Sequence, residues 1–198
     1  MFPRLAALST ALAACLPAAL SADGDGTHGT QPYAGFESRE IKSLSAADLE
    51  ELRAGGGWGL ALPAELGGLP GPAHLLELQE QLGLTGDQVA RITDIRETML
   101  AEAIAAGARF IEAERALSDA FADPGLGPER LRALIAEAGE ARAALRYVHL
   151  SRHLMTPPLL TDGQIGRYAV LRGYAEDPCA SVPEGHDATM WRRHNGCE

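Results

Sequence analysis

Apolar residues recur at steps of three and four along much of the second half of the chain. Ile92, Ile95, Met99, Ala103, Ala106, Phe110, Ala113, Leu117 and Phe121 form one stripe, widened by Leu100, Ile104 and Ile111. This period predicts a helix from Gly86 to about Ala122, roughly 55 Å long at ~1.5 Å per residue. Asp123-Pro124-Gly125-Leu126-Gly127-Pro128 reads as a turn. A return helix is predicted from Pro128 to about Thr156, with Leu131, Leu134, Ile135, Ala138, Ala141, Leu145 and Val148 facing inward and Pro157-Pro158 as its stop. Large residues alternate with small ones on the first stripe, which suits close packing of two helices. No segment keeps a period of two, so no sheet is expected. The fold class predicted is all-α: a long antiparallel helical hairpin with short accessory helices.

The accessory helices follow from punctuation. Ser45 is placed to cap a helix over 46–53, and Gly55-Gly56-Gly57-Trp58-Gly59 ends it, with Trp58 expected to pack the loop onto the helices. Residues 60–66 form a further short turn of helix. Gly67-Gly68-Leu69-Pro70-Gly71-Pro72 breaks the chain, Pro72 opens a helix to about Leu82, and Gly83 closes it. The glycine cluster at 55–59 has neither the Gly-Lys-Ser/Thr ending nor the Gly-x-Gly-x-x-Gly spacing of a phosphate loop.

Leu84-Thr85-Gly86-Asp87-Gln88 and Leu160-Thr161-Asp162-Gly163-Gln164 carry the same Leu-Thr-x-x-Gln signature, the second ahead of a last helix to about Tyr174. In each, Thr85 or Thr161 can accept from the backbone N–H three residues on, while Gln88 or Gln164 reaches back to the Thr amide. Leu84 with Val89, and Leu160 with Ile165, have staple spacing.

Residues 1–22 read as an export signal. Arg4 gives a basic start, 5–16 is apolar but too short to span a bilayer, and small residues follow Pro17. Leu12-Ala13-Ala14-Cys15 also reads as a lipobox, with Cys15 as a lipidated N-terminus, but Leu16-Pro17-Ala18-Ala19-Leu20 continues the apolar run where a polar linker would follow, so soluble export is expected, with anchoring as the alternative. The division is then a signal at 1–22, a flexible Gly-rich arm at 23–44, the helical domain at 45–174 and a Cys/His tail at 175–198. The segment from Asp23 imitates the start of an EF-hand loop but lacks its Gly and its final Glu. No later segment is apolar enough to cross a membrane.

The formal charge is −10, and Lys42 is the only lysine. Such a chain is unsuited to nucleic acid, which needs cationic surface for phosphate contacts. It suits cations or cationic partners. Enzyme signatures are missing: there is no Gly-x-Ser-x-Gly elbow, His-Glu-x-x-His or P-loop.

Two sets of residues can carry chemistry. His149 and His153 stand four apart on one helix and can share a metal ion, with His74, Glu77 and Glu80 of the preceding short helix as candidates for the remaining ligands. A plainer reading makes His149 a hydrogen-bonded core residue and His153 an exposed one. The second set is Cys179, His186, His194 and Cys197 in the tail. It has the chemistry of a zinc site but no recognised zinc spacing, and in an oxidising compartment a Cys179–Cys197 disulfide is the simpler outcome.

Two identical capping boxes flanking a helical hairpin in an exported chain resemble the LTxxQ family of bacterial periplasmic proteins, which includes Spy, CpxP, and the zinc-resistance-associated and heavy-metal-resistor proteins. The resemblance spans about Leu75 to Tyr174. It implies a Spy/CpxP-like fold, a homodimer and a non-enzymatic role in envelope stress. One branch implies binding or sensing of a divalent transition metal (Zn, Cu, Ni or Co), with His ligands on the helix before the last. Other members imply an ATP-independent chaperone, or a regulator that binds a signalling kinase. The acidity of this chain departs from the basic cradle of Spy-like members, although Arg91, Arg109, Arg142 and Arg146 offer local positive charge.

Overall fold

A computed structural model describes residues 31–197. The expected export signal, Cys15 and the first residues of the expected arm lie outside the described residues. The fold is built from Gly35 onward. It is helical, and among the described residues the only β contact is an isolated bridge between Ile41 and Leu44.

Helix α1 (Ala46–Arg53) starts on a complete Ser45/Asp48 capping box. Helices α2 (Leu62–Leu66) and α3 (Pro72–Glu77) each carry proline in the first turn. Residues 78–83 turn away from α3, so that helix is shorter than the 72–82 expected, and Gly83 closes the turn at φ +59°. The long pair is α4 (Gly86–Ala120) and α5 (Pro128–Met155), joined by the expected 121–127 turn and packed along one another. Helix α6 (Asp162–Leu171) follows the second capping box, and α7 (Ala188–His194) sits in the tail with Asp187 as N-cap. No helix among the described residues is long and apolar enough to cross a membrane.

The apolar stripe of α4 is divided between two cores. In the first, Ala103, Ala106, Phe110 and Ile111 of α4 meet Leu145 and Val148 of α5, roofed by Leu49 and Leu52 of α1 and by Leu60. In the second, Ile92 packs with Leu75, Leu82 and Tyr168, near the start of α4. Close approach of α1 to α4 depends on Gly107, where an added Cβ would lie 2.6 Å from the Leu52 carbonyl oxygen. Trp58 packs the glycine loop down as expected, its ring 5.5 Å from that of Phe110.

Two expectations fail for physical reasons. Ile41 and Leu44, assigned to the flexible arm, are core residues with 0% and 2% exposure. Their segment is tied to α4 by Ser43–Glu114 (2.5 Å) and Glu40–Arg115 (2.8 Å), so ordered structure begins before residue 45. At the other end, Phe121 and Ile135 are exposed (68% and 54%) although both belong to the apolar stripes. Neither belongs to either core. Two helices alone bury only a narrow seam, and among the described residues no third element covers these two flanking positions.

Candidate functional site

The two capping boxes do more than start helices. Thr85 and Thr161 accept from the amides of Gln88 and Gln164, and each Gln returns a bond to its own Thr amide. The two Gln side chains then meet. Gln88 Nε2 donates to Gln164 Oε1 (2.9 Å), and Gln164 Nε2 donates back to Gln88 Oε1 (3.1 Å). Each also reaches the backbone just before the other box: Gln88 Nε2 to the Leu159 carbonyl (2.7 Å), and Gln164 Nε2 to the Gly83 carbonyl (3.4 Å). A repeated local motif therefore becomes one clasp that holds the start of α6 against the start of α4.

The chemistry lies near the C-terminal end of α5. A cavity of about 430 Å³ is lined by Glu51, the 55–59 loop, Gly71 to His74, Met99, His149 and His153. Three of the molecule's histidines thus line one cavity. His149 and His153 come from one face of α5, one turn apart, and His74 comes from α3. The loop that borders the cavity holds Trp58 at φ +44°, uncommon for a bulky side chain. Glu51 Oε1 accepts from the Trp58 amide (2.7 Å), and the indole Nε1 donates to Asp48 (2.8 Å).

Both α5 histidines are buried, at 3% and 7% exposure, so His153 is not the exposed residue of the plainer reading. The reason is the 67–72 breaker, which closes over the end of α5. His153 Nδ1 donates to the Leu69 carbonyl (2.6 Å), the Thr156 hydroxyl donates to the Pro70 carbonyl, and a Cβ on Gly71 would come within 2.7 Å of the His153 ring. His149 differs: its Nε2 is buried with no hydrogen-bond partner among the described residues. Burial, and next the neighbouring His153, hold the His149 pKa below its ordinary value, so the ring is neutral near pH 7.

Glu65 of α2 supplies the local negative charge. It is 5% exposed. Its Oε1 accepts from the Tyr168 hydroxyl (2.5 Å), Arg172 Nε (3.2 Å) and the Tyr174 hydroxyl (3.2 Å), and stands 3.4 Å from His74 Nδ1. Its Oε2 has no hydrogen bond and lies 4.0 Å from His153 Nδ1. Burial pushes this carboxyl up, but the Tyr168 hydroxyl, His74, Arg172 and Tyr174 outweigh it and leave the pKa below the ordinary carboxylate value. The same burial and the adjacent carboxylate drive the Tyr168 phenol upward, so it stays a donor.

The structure thus gathers His74, His149 and His153 but not the remaining candidates. Glu77 and Glu80 are exposed and do not line the cavity. Glu51 lines it instead, together with Arg96, while Glu65 stands behind His74 and His153 without lining it. Sequence reading passed over Glu65, although one signal was present: it is the single charge in Leu60-Ala61-Leu62-Pro63-Ala64-Glu65-Leu66. Among the described residues, no three His, Cys, Asp or Glu side chains already stand together as a metal-ligand set. In the tail, Cys179 and Cys197 are joined in a disulfide with Cα atoms 5.4 Å apart, and His186 packs edge-on against Trp191. With both sulfurs bonded to each other, no thiolate remains for a tail zinc site.

Comparisons with protein-family models, with curated proteins and with solved structures returned no match.

Proposed function

We propose that this chain is a non-enzymatic, exported protein that binds a divalent transition metal ion, with His149, His153 and His74 as its imidazole ligands. The observation that carries the reading is the buried, unpartnered Nε2 of His149, one helical turn from His153 in a cavity that His74 also lines. A buried polar atom left without a partner is costly, and such exceptions in a folded protein call for an explanation. The donor set fits Zn, Cu, Ni or Co, all of which imidazole suits. A neutral His149 competes little with a proton for the metal, and Glu51, which lines the cavity along with Arg96, offsets part of the added charge. Because the rings line one cavity without forming a ready ligand set, binding entails side-chain adjustment there. A metal role agrees with the heavy-metal-resistor branch of the LTxxQ family, which also suggests a periplasmic homodimer acting in envelope stress.

Calorimetric titration of the mature protein with Zn²⁺ and Cu²⁺ tests this. Binding is expected in wild type and lost in His149→Ala/His153→Ala. Binding that survives the double substitution would overturn the site, and no binding by wild type would overturn the function.

A second reading rests on a different place. Between α4 and α5 runs a groove of about 770 Å³ with Ala108, Ala113, Ala116, Ala141 and Ala144 along it, and Arg109, Glu112, Glu137 and Glu140 at its edges. An apolar floor with a charged rim suits an extended or helical polypeptide, as a Spy-like chaperone or a CpxP-like regulator would require. Suppression of client aggregation that Ala116→Glu abolishes would favour this reading over the metal one.

A further inference from the structure

We propose that Glu65 is a positioning residue for the imidazole site: it holds His74 in the Nδ1–H tautomer, so that the Nε2 lone pair is left for a ligand. The inference deepens the metal reading and rests on it for its functional meaning, but the geometry behind it is independent of any metal.

His74 Nδ1 has two polar neighbours, Glu65 Oε1 at 3.4 Å and the Tyr168 hydroxyl at 3.5 Å. The Tyr168 proton is directed to Glu65 at 2.5 Å, so toward His74 the phenol oxygen can only accept. A carboxylate also only accepts. Both neighbours of Nδ1 are therefore acceptors, and Nδ1 must carry the hydrogen. In a neutral ring Nε2 is then the bare acceptor. His153 reaches the same state by another route, since its Nδ1 faces the Leu69 carbonyl, which can only accept. The Glu65 carboxylate stands behind both rings, 3.4 Å from one Nδ1 and 4.0 Å from the other.

Histidines that bind metals usually donate the second ring N–H to a carboxylate or a backbone carbonyl, which fixes the tautomer and raises the basicity of the ligand nitrogen. Here one ring has the carboxylate 3.4 Å from its Nδ1, and the other donates to the carbonyl. The carboxylate is in turn fixed by Tyr168, Arg172 and Tyr174 of the C-terminal segment, so its position depends on α6 being docked.

The test is a long-range ¹H–¹⁵N spectrum of the histidine rings in the full, metal-free protein at a pH where they are neutral, followed by Zn²⁺ titration. In wild type His74 and His153 are expected as Nδ1–H tautomers. In Glu65→Leu, which removes the acceptor and frees the Tyr168 hydroxyl to donate to Nδ1, His74 should return toward the Nε2–H form that prevails in free histidine, while His153 keeps its tautomer. Zn²⁺ affinity should fall about tenfold to a hundredfold, the usual effect of losing such a partner, and Glu65→Asp should recover part of it. An Nε2–H tautomer at His74 in wild type would overturn the proposal, and this measurement does not depend on whether Glu65→Leu folds. Unchanged tautomer and affinity in a folded Glu65→Leu would also overturn it. If wild type shows the expected tautomers and binds no Zn²⁺, the metal function falls and the positioning role of Glu65 stands.

Discussion

Substituting Gln88 and Gln164 by Ala, singly and together, separates two meanings of the repeated capping box. If each box is only a helix start, the two losses are independent. If the boxes form one clasp, they are coupled. Gln88 makes four bonds: it accepts from the Thr85 amide (2.9 Å) and from Gln164 Nε2 (3.1 Å), and it donates to Leu159 O and Gln164 Oε1 (2.7 and 2.9 Å). With a net value of ~0.5–1.5 kcal/mol for each bond, Gln88→Ala should cost about 2–5 kcal/mol after a small gain in helix propensity. Gln164→Ala should cost less, because its bonds to the Leu82 and Gly83 carbonyls are long, at 3.5 and 3.4 Å. The reciprocal amide pair is lost in either single variant and can be lost only once. The double variant should therefore cost about 1–2 kcal/mol less than the sum of the singles. Urea unfolding followed by circular dichroism gives each value, provided the slope m is unchanged. Thr85→Ala and Thr161→Ala serve as the control. Each removes a contact confined to its own box, so each should cost ~1 kcal/mol, and the two should add. Additivity of the two Gln substitutions within about 0.5 kcal/mol would refute the clasp.

Two further predictions concern packing and pH. Gly107 and Gly139 both lie inside long helices, yet their Ala variants should differ in sign. Gly139 is exposed with nothing within 4 Å of an added Cβ, so Gly139→Ala should stabilise by about 0.5–1 kcal/mol, whereas a Cβ at Gly107 meets the Leu52 carbonyl at 2.6 Å and should cost ~1–3 kcal/mol through overpacking, readable as opposite shifts in Tm. Stabilisation by both would contradict the close α1–α4 approach. Stability should also fall in two stages on acidification. His149 has a folded pKa below its ordinary 6.5, so its contribution is complete above that pH and is lost as pH falls below it. Glu65 has a folded pKa below its ordinary 4.5, so its contribution is lost at still lower pH. Urea midpoints measured from pH 8 to 3 should show both declines, with His149→Leu flattening the first and Glu65→Gln reducing the second. A first decline that persists unchanged in His149→Leu would refute its assignment to His149.

Much of the fold was legible because helix signals are local. The period of the apolar positions in 86–122 and 128–156, the prolines at 72 and 128 and the three N-caps act within one or two turns, and the helices fall where these cues put them. The pair His149 and His153 was legible for the same reason, since spacing alone puts them on one face. Glu65 was not. An acidic residue in a short apolar segment says nothing about partners, and those partners, Tyr168, Arg172 and Tyr174, lie more than a hundred positions away. Ile41 and Leu44 were likewise hidden, because two apolar residues in a polar stretch carry no period.

Local chemistry in the chain settles that it is helical, where the two long helices turn, and that Thr85 and Thr161 begin helices through the same box. Tertiary structure decides what those parts mean together. It joins the two boxes through Gln88 and Gln164, turns a glycine–proline breaker into a clamp on His153 and Thr156, and sets a buried carboxylate behind two imidazoles. The physical reason is one of range. Capping and periodicity depend on neighbours within a few residues, while burial and charge pairing depend on which distant surfaces close on one another.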